Sequence, residues 1–390
     1  MKVRPGIEVL LHEKKELLAG SRVAAVVHPA SVFPSLEHTA DVLFAEPSIH
    51  LVSLFGPQHG ARGEKQDNMV ESQFYQDPDT GLPVHSLYSE TRRPTEEMLR
   101  GVDALIFDLQ DVGARVYTFI HTMAYCMQAC AACGKKMVVA DRPNPINGVN
   151  LEGGLLDPEF CSFVGLYPIP MRHGMTIGEL ALMYNTEFGI GCDLTVIPMQ
   201  GWRRGHWFDH SGLPWVMPSP NLPTLDSATV YPGMVLIEGT LISEGRGTTR
   251  PFELVGAPSI NARPLAEQLN RLHLAGVHFR PVYFEPTFQK HAGVMCGGVQ
   301  LHVWDRDAFE PFLTGIAVIS TIKRMFPDAF QWRRPPYEYE TRRMPIEILC
   351  GGSRIRGQIE SGAPIEDIRE RWQEELQRFR LQRAPYLLYE

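Results

Sequence analysis

The chain has 390 residues, a length that exceeds the usual size of one domain and is sufficient for two domains, each with its own core. Hydrophobic residues make up 44% and charged residues 21%, which is an ordinary globular composition and excludes long disordered or low-complexity segments. The formal net charge of -8 argues against a nucleic-acid partner, because such proteins neutralise phosphates with Lys and Arg, and a small or neutral ligand fits better.

Six runs of apolar and β-branched residues predict strands in the first 200 residues. They cover residues 22–27, 51–55, 83–88, 104–109, 136–140 and 194–198, and several read as buried rather than alternating strands. Helical patterns lie between them, over 116–127 before Gly134 and over 177–188, where Thr176 and Glu179 form a capping box. Strands that alternate with helices predict an α/β fold with a Rossmann-like parallel sheet covered on both faces.

A proline-rich passage over residues 213–232 is typical of a linker or a cleft wall rather than of the interior of an element. We therefore place a domain boundary near Tyr231. This gives a Rossmann-like catalytic domain over 1–230 and a smaller, mixed α/β domain over 231–390, with the active-site cleft between them. In the second domain the patterns predict one strand and three helices, at residues 298–303, 264–274, 308–325 and 365–378.

The cysteines and the apolar runs indicate the cellular compartment. The seven cysteines are odd in number and scattered, which argues against a disulfide framework and favours a reducing compartment. Cys126, Cys130 and Cys133 resemble a metal motif, but they fall in a predicted helix without a second pair of ligands, which favours helix packing. No apolar run approaches the ~20 residues that cross a bilayer, and no signal peptide is visible. The sequence predicts a cytoplasmic protein with no membrane partner.

Polar loops follow four consecutive predicted strands. They cover residues 56–63, 89–94, 110–115 and 141–145, and they carry acids, bases or hydrogen-bonding groups. Because ligands of open parallel sheets bind outside the carboxyl ends of the strands, these loops predict a site at one edge of the sheet.

The sequence contains no motif typical of a nucleotide, metal or serine-nucleophile site. The segment after the first strand, His28 to Ser31, contains no Gly-x-Gly-x-x-Gly, and no P-loop is present. The histidines form no His-x-x-x-His or His-x-His pair, and no Gly-x-Ser-x-Gly elbow occurs. We therefore expect no nucleotide cofactor and no obligatory metal, and acid–base chemistry by carboxylates remains.

Glu90 is the first candidate for a catalytic acid, because it leaves a buried strand where the sheet opens. The alternative is an ion pair with Arg92 or Arg93 at the surface. A second catalytic carboxylate is expected nearby, and the sequence leaves its identity open among Asp108, Asp111, Asp141 and Glu244.

Read together, the loops resemble those of the NamZ-like exo-β-N-acetylmuramidases, formerly a family of unknown function. The resemblance spans nearly the whole chain, and long motifs in order make it specific. Its carriers are Leu-Phe-Gly-Pro-Gln-His-Gly at 54–60, Ser-Leu-Tyr-Ser-Glu-Thr-Arg-Arg-Pro at 86–94, Phe-Asp-Leu-Gln-Asp-Val-Gly-Ala-Arg at 107–115, Asp-Arg-Pro-Asn-Pro at 141–145, Arg-His-Gly-Met-Thr at 172–176, Pro-Ser-Pro-Asn-Leu-Pro-Thr at 218–224 and Glu-Gly-Arg-Gly-Thr-Thr-Arg-Pro-Phe-Glu at 244–253.

The resemblance implies release of terminal N-acetylmuramic acid from the non-reducing ends of peptidoglycan fragments, with Glu90 as the catalytic glutamate. From the residues themselves, Asp108 and Asp111 are the first candidates for the second catalytic group. Muramic acid carries a lactyl carboxylate that suits a guanidinium, and the arginine candidates are Arg92, Arg142, Arg246 and Arg250. The further candidates for substrate binding are Gln58, His59, Arg62, Gln110, Arg115, Asp141, Asn144, Asn221 and Glu244.

The chain departs from the family at Gln58, where relatives usually carry Glu in Pro-Glu-His-Gly. Gln orients a water or an amide but takes no proton from it. A second hypothesis is therefore a non-catalytic two-domain protein that binds muropeptides or sugars. Oligomeric state and stereochemistry, retaining or inverting, stay open.

Overall fold

A seven-stranded sheet organises the N-terminal part of the structure, a computed structural model that describes residues 2–63 and 74–390. Its strands are β1 (Arg22–Val26), β2 (His50–Gly56), β3 (Tyr75–Gln76), β4 (Pro83–Ser86), β5 (Ala104–Phe107), β6 (Lys136–Ala140) and β7 (Asp193–Ile197). The six strands predicted from the sequence are confirmed, whereas the two-residue β3 was too short to leave a pattern.

The order of the strands is that of a Rossmann-like sheet. The sheet runs β3-β4-β2-β1-β5-β6-β7, and its pairs are parallel except for the antiparallel edge pair of β3 with β4. The chain therefore builds outward from β1 in one direction and then restarts at β5 in the other, which creates a switch point between β1 and β5. The predicted α/β fold is confirmed.

Four helices accompany this sheet, namely α1 (Gly6–Glu13), α2 (Thr39–Ala45), α3 (Phe119–Cys133) and α4 (Ile177–Glu187). The predicted capping box of α4 is present, since the side chain of Thr176 accepts from the backbone of Glu179 and the Glu179 side chain accepts from the backbone of Thr176. Gly134 ends α3 in the left-handed conformation, with φ of 60°. Cys126 and Cys130 are buried on α3, as helix packing predicts.

A smaller antiparallel sheet, ordered β8-β10-β9, forms the second α/β region. Its strands are β8 (Leu254–Ala257), β9 (Val277–Phe284) and β10 (Cys296–Val303). The helices are α5 (Leu225–Met234), α6 (Ala262–Asn270), α7 (Pro311–Met325), α8 (Pro345–Cys350), α9 (Arg354–Ser361), α10 (Ile365–Glu370) and α11 (Gln373–Arg383). Within the described residues, no helix combines the length and apolar character needed to cross a membrane.

Two expectations about elements are wrong. The predicted helix over 365–378 is two helices, α10 and α11, because the chain turns at Trp372 to bury its indole against Phe312, with ring centroids 5.4 Å apart. The end of the proline-rich passage is not a linker, since Tyr231 and Pro232 lie inside α5. Pro232 removes one N–H from the helix, which gives way after Met234 to a 3₁₀ turn over Val235–Gly239. The predicted boundary near Tyr231 thus falls within a helix, and the two-domain division stays a prediction.

One hydrophobic core runs from the large sheet into the second region. Its buried members include Phe119 of α3, Tyr231 of α5, Phe252, and Phe312 of α7. Aromatic contacts continue across the boundary, since the ring of Tyr231 lies 4.9 Å from that of Phe252 and 5.9 Å from that of Tyr117. Close packing therefore surrounds the junction between the large sheet and the second region.

Helices α5 and α7 approach so closely that only glycine fits between them. A Cβ atom on Gly233 would lie 1.7 Å from the carbonyl oxygen of Pro311, and one on Gly315 would lie 2.3 Å from that of Gly233. We expect Gly315→Ala to lower the free energy of unfolding by about 1–3 kcal/mol in urea denaturation, because the backbones must separate.

The matched control is Gly357→Ala in α9, where an added Cβ meets nothing within 4 Å. This variant should gain up to about 1 kcal/mol, because alanine favours a helix over glycine. Equal destabilisation of the two variants would contradict the close approach.

Candidate active site

A cavity lies where the carboxyl end of β2 and the start of α3 meet the second region. Its cavity volume is about 40 Å³, and the larger space of about 430 Å³ between its walls includes open solvent. Its walls come from segments far apart in the sequence, namely Gln58, His59, Val116, Tyr117, Thr118, Val164, Ser219, Leu222, Tyr231, Glu238, Arg246, Phe252, Tyr337 and Glu338. Two of these residues, Glu238 and Glu338, are buried carboxylic acids.

Glu338 lies at the cavity with only 5% of its surface exposed. Its Oε2 accepts a hydrogen bond of 2.8 Å from the hydroxyl of Tyr88. Burial raises the pKa of Glu338 to about 7, and the neighbouring charge of Glu238 acts in the same direction, while the Tyr88 hydrogen bond opposes it. Glu338 therefore holds a proton over part of the neutral range.

Glu238 occupies a different electrostatic environment. Its Oε1 lies 2.6 Å from Nη1 of Arg246, and its Oε2 accepts a bond of 2.9 Å from the hydroxyl of Tyr337. The same guanidinium nitrogen lies 3.0 Å from Glu244, whose other oxygen lies 2.7 Å from Nζ of Lys290. Although burial alone would raise it, Lys290 and Arg246 hold the pKa of Glu244 at about 2. Within the part of the chain that the structure describes, one cavity thus contains a paired carboxylate, Glu238, and a carboxyl group without a cationic partner at hydrogen-bond distance, Glu338.

A strained turn presents Glu338. Tyr337 and Glu340 exchange two backbone hydrogen bonds of 2.9 Å, and the residues between them, Glu338 and Tyr339, have φ of 44° and 68°. Two consecutive positive φ angles are typical of a type I′ turn, which favours Asn-Gly. A side chain with a Cβ atom costs about 1–2 kcal/mol in this region. The sequence keeps two large side chains where small residues would be more stable, which is characteristic of functional sites.

Gln58 is connected to Glu338 through Tyr88. The Gln58 amide donates to the Tyr88 hydroxyl over 3.2 Å, and Thr118 donates to the amide oxygen over 2.9 Å. Beside it, Nε2 of His59 lies 3.2 Å from Oγ of Ser219. Gln58, the position at which the family resemblance implies Glu, is therefore at the cavity and is linked to the buried acid through one residue, Tyr88.

Glu90 lies outside this cavity. Its side chain is exposed, and within the described residues it forms no ion pair with Arg92 or Arg93. The segment before it is buried as expected, since Val84, Leu87 and Tyr88 are buried, but Glu90 itself is exposed, and its role as catalytic acid stays a prediction.

The two predicted catalytic aspartates, Asp108 and Asp111, bind neighbouring protein groups at the edge of the sheet. Asp108 is fully buried and lies 2.5 Å from Nε of Arg142, and it accepts a bond of 2.6 Å from Thr39. Asp111 accepts from the backbone of Gly113 and lies 3.4 Å from Nε2 of His173. Neither aspartate lines the cavity.

The switch point of the sheet is filled by side chains rather than by a ligand space. His28, which follows β1, accepts the backbone N–H of Gln110 over 2.8 Å, and Ser31 donates to the carbonyl of Asp108. Burial lowers the pKa of His28 well below its usual range, so the ring is neutral and suited to this acceptor role. The cavity therefore lies to one side of the position that the fold alone suggests.

Of the predicted substrate-binding residues, the structure brings Gln58, His59 and Arg246 to the cavity. Asn221 is buried in the cavity-wall segment between Ser219 and Leu222. The others bind protein groups. Four of them form ion pairs: Arg62 with Asp41 and Asp77, Arg142 with Asp108, Glu244 with Lys290, and Arg250 with Glu253. The remaining four form hydrogen bonds: Gln110 donates to the carbonyls of Asp111 and Pro143, Arg115 to those of Gly154, Ile169 and Leu349, and Asn144 to that of Met175, while Asp141 accepts from Thr176 and Tyr389. Arg92 stacks on Tyr339, the residue that follows the cavity acid Glu338.

Sequence reasoning missed Glu238 and Glu338, because neither lies in a strand-exit loop or in one of the motifs that carry the resemblance. A weak signal was available in the alternation of Tyr and Glu over 337–340, within a loop rich in proline and arginine. That pattern identifies acids beside aromatic rings but does not say what they face.

Comparison with known proteins gives a consistent result. Residues 23–226 match the family model described as exo-beta-N-acetylmuramidase NamZ, N-terminal, and residues 229–389 match its C-terminal counterpart. The chain is 50% identical over 388 residues to peptidoglycan beta-N-acetylmuramidase NamZ of Bacillus subtilis (strain 168), covering 100% of this chain and 92% of that protein.

Two crystal structures of DUF1343 family proteins from Bacteroides fragilis NCTC 9343 are also similar. Both alignments cover 100% of this chain and 99% of the other. The TM-scores are 0.90 and 0.79, at 35% and 31% identity respectively.

The raised pKa of Glu338 predicts a pH-dependent stability difference between the wild type and Glu338→Gln. The folded pKa of about 7 lies above the ordinary 4.5, so the folded chain retains a proton that the unfolded chain releases between these values. As pH rises through this window, the wild type therefore loses about 1.4 kcal/mol per unit relative to the variant, which cannot titrate. The difference should be constant below pH 4.5 and again above pH 7.

Urea denaturation of both proteins at a series of pH values measures this difference. Asp141 and Glu152, whose pKa values burial also raises to about 7, are present in both proteins and cancel. A difference that does not change between pH 4.5 and 7 would show that Glu338 ionises normally.

Proposed function

The chain belongs to the NamZ family of exo-β-N-acetylmuramidases, and from this membership we propose that it is a glycoside hydrolase of the β-N-acetylhexosaminidase type. Its proposed reaction releases terminal N-acetylmuramic acid from the non-reducing ends of peptidoglycan fragments, with a glutamate as general acid. The substrate is a small carbohydrate, and the proposal involves neither nucleic acid nor a membrane.

The observation that carries this proposal is the pair of buried carboxyl groups in one cavity. Glycosidic bonds are commonly cleaved by two carboxyl groups whose environments separate their pKa values, one serving as acid and the other as base or nucleophile. Glu338, which accepts a hydrogen bond from the neutral Tyr88 hydroxyl and whose pKa is raised to about 7, suits the acid. Glu238, bound by Arg246 and Tyr337, suits the carboxylate.

The proposed chemistry follows from these environments. Glu338 donates its proton to the glycosidic oxygen as the bond to the anomeric carbon breaks, and Tyr88 then stabilises the carboxylate that forms by donating to Oε2. Glu238 stabilises the positive charge that develops on the sugar ring and acts on the anomeric carbon, directly or through a water. The exo-acting character of the proposed reaction follows from the family, whose models are those of exo-β-N-acetylmuramidases.

We expect Glu338→Gln to lower kcat by at least about 100-fold on a chromogenic N-acetyl-β-muramide, because the amide has no acidic proton to transfer to the glycosidic oxygen. Glu90→Gln is the matched control, and its kcat should stay within a few-fold of the wild type since Glu90 is exposed and outside the cavity. The wild-type kcat should also fall as pH rises through about 7. The reverse result, an inactive Glu90→Gln and an active Glu338→Gln, would assign the acid to Glu90.

A sugar-binding protein without catalysis is the second candidate, and Gln58 is the observation that favours it. Its amide occupies the position at which relatives carry Glu, hydrogen-bonded to Tyr88 and Thr118. If chemistry depends on a carboxylate there, this chain binds muropeptides and releases no product.

Calorimetry combined with product analysis separates the two candidates. An enzyme releases N-acetylmuramic acid from a disaccharide fragment, and Gln58→Glu changes its rate by no more than about ten-fold. A binding protein gives heat of binding without product, and in that case Gln58→Glu should create activity. Turnover by the wild type would eliminate the binding-only function.

A further inference from the structure

Arg92 differs from the other arginines that could bind the lactyl carboxylate of muramic acid. The guanidinium groups of Arg142, Arg246 and Arg250 are paired with Asp108, Glu238 and Glu253, respectively. Within residues 2–63 and 74–390, no carboxylate lies within ion-pair distance of Arg92. Its charge is therefore available to an incoming anion, whereas the other three charges are already neutralised.

The guanidinium of Arg92 is held in a defined position. Its central carbon lies 3.3 Å from the centroid of the Tyr339 ring, so the group stacks on an aromatic face. Its Nε is buried and has no hydrogen-bond partner. A partly buried guanidinium with an unsatisfied N–H gains from a bound anion, because the anion supplies both the missing charge and the missing acceptor.

The strained turn connects this guanidinium to the proposed catalytic acid. Glu338 faces the cavity with 5% exposure, whereas the next residue, Tyr339, is 43% exposed at the surface. The Tyr339 ring is supported by Tyr88 and Phe163, at centroid distances of 5.8 and 6.5 Å. The turn therefore places the acid, Glu338, and the aromatic ring on which Arg92 stacks, that of Tyr339, on adjacent residues.

We propose that Arg92, stacked on Tyr339, binds the lactyl carboxylate of the terminal N-acetylmuramic acid and thereby selects this sugar over N-acetylglucosamine. This inference rests on the proposed function. The two sugars differ by the lactyl ether, so a cation that pairs with its carboxylate discriminates between them. The planar guanidinium matches a carboxylate through two parallel hydrogen bonds. A hydrogen bond to a charged group corresponds to a preference of at least about ten-fold.

The test is calorimetric binding of free N-acetylmuramic acid, its neutral lactyl amide and N-acetylglucosamine to the full-length protein. We expect the wild type to bind N-acetylmuramic acid at least about ten-fold more tightly than either neutral sugar. Arg92→Gln should remove this preference by lowering the affinity for N-acetylmuramic acid alone and leaving the affinities for the two neutral sugars unchanged. Arg93→Gln is the matched control for charge, because Arg93 is the adjacent residue and its guanidinium donates to the carbonyl of Gln128 over 3.0 Å.

Substitution of Tyr339, on whose ring Arg92 stacks, gives a second measurement. Tyr339→Phe keeps the ring on which Arg92 stacks and should keep the preference for N-acetylmuramic acid. Tyr339→Leu removes the ring and should reduce the preference at least several-fold, without the change of charge that Arg92→Gln introduces. Thermal unfolding of every variant establishes that it is folded.

The outcomes separate this inference from the proposed hydrolysis. If Arg92→Gln retains the preference, or weakens all three sugars equally, the assignment of Arg92 is overturned even when the wild type cleaves its substrate. If the preference depends on Arg92 but no product forms from a disaccharide fragment, the assignment stands and the hydrolase function fails. If the wild type binds all three sugars equally, Arg92 has no selective role.

Discussion

The buried ion pair between Arg246 and Glu238 is the interaction on which the cavity depends. Charges removed from water need partners, and here Arg246 joins Glu238 to Glu244, which Lys290 pairs in turn. Glu238 also accepts from Tyr337, the first residue of the turn that carries Glu338 and Tyr339. Loss of Arg246 would leave the buried carboxylate of Glu238 without its cationic partner, whereas loss of Glu238 would remove the acceptor of the Tyr337 hydroxyl.

This network gives the two carboxyl groups different chemistry in a shared space. Glu238 has a guanidinium at 2.6 Å, whereas Glu338 has a phenol at 2.8 Å, so burial raises the pKa of Glu338 with little compensation. The turn over residues 337–340 therefore combines two energetically unfavourable features, a buried acid and two positive φ angles. The surrounding core, continuous across both regions, is rigid enough to maintain that turn.

Much of the fold could be predicted from local patterns, and much of the site could not. The strands β1, β2 and β5 are buried apolar runs, and α4 begins at a capping box, so short-range sequence defines them. The strand exits were a reasonable place to seek a site, and Gln58 and His59 do line the cavity. Asp108 does not, because a polar residue at a strand exit can equally bind a neighbouring loop, as Asp108 binds Arg142.

The sequence by itself determined the α/β class, the order of most elements and the family resemblance, because periodicity, turn residues and ordered motifs are local properties. The tertiary structure alone decided which acids share a cavity. Glu338 meets Tyr88 across 250 positions of the chain, and Glu238 lies 100 positions before Glu338. Such contacts arise from the packing of distant elements, and the environment that sets a carboxyl pKa forms only when they meet.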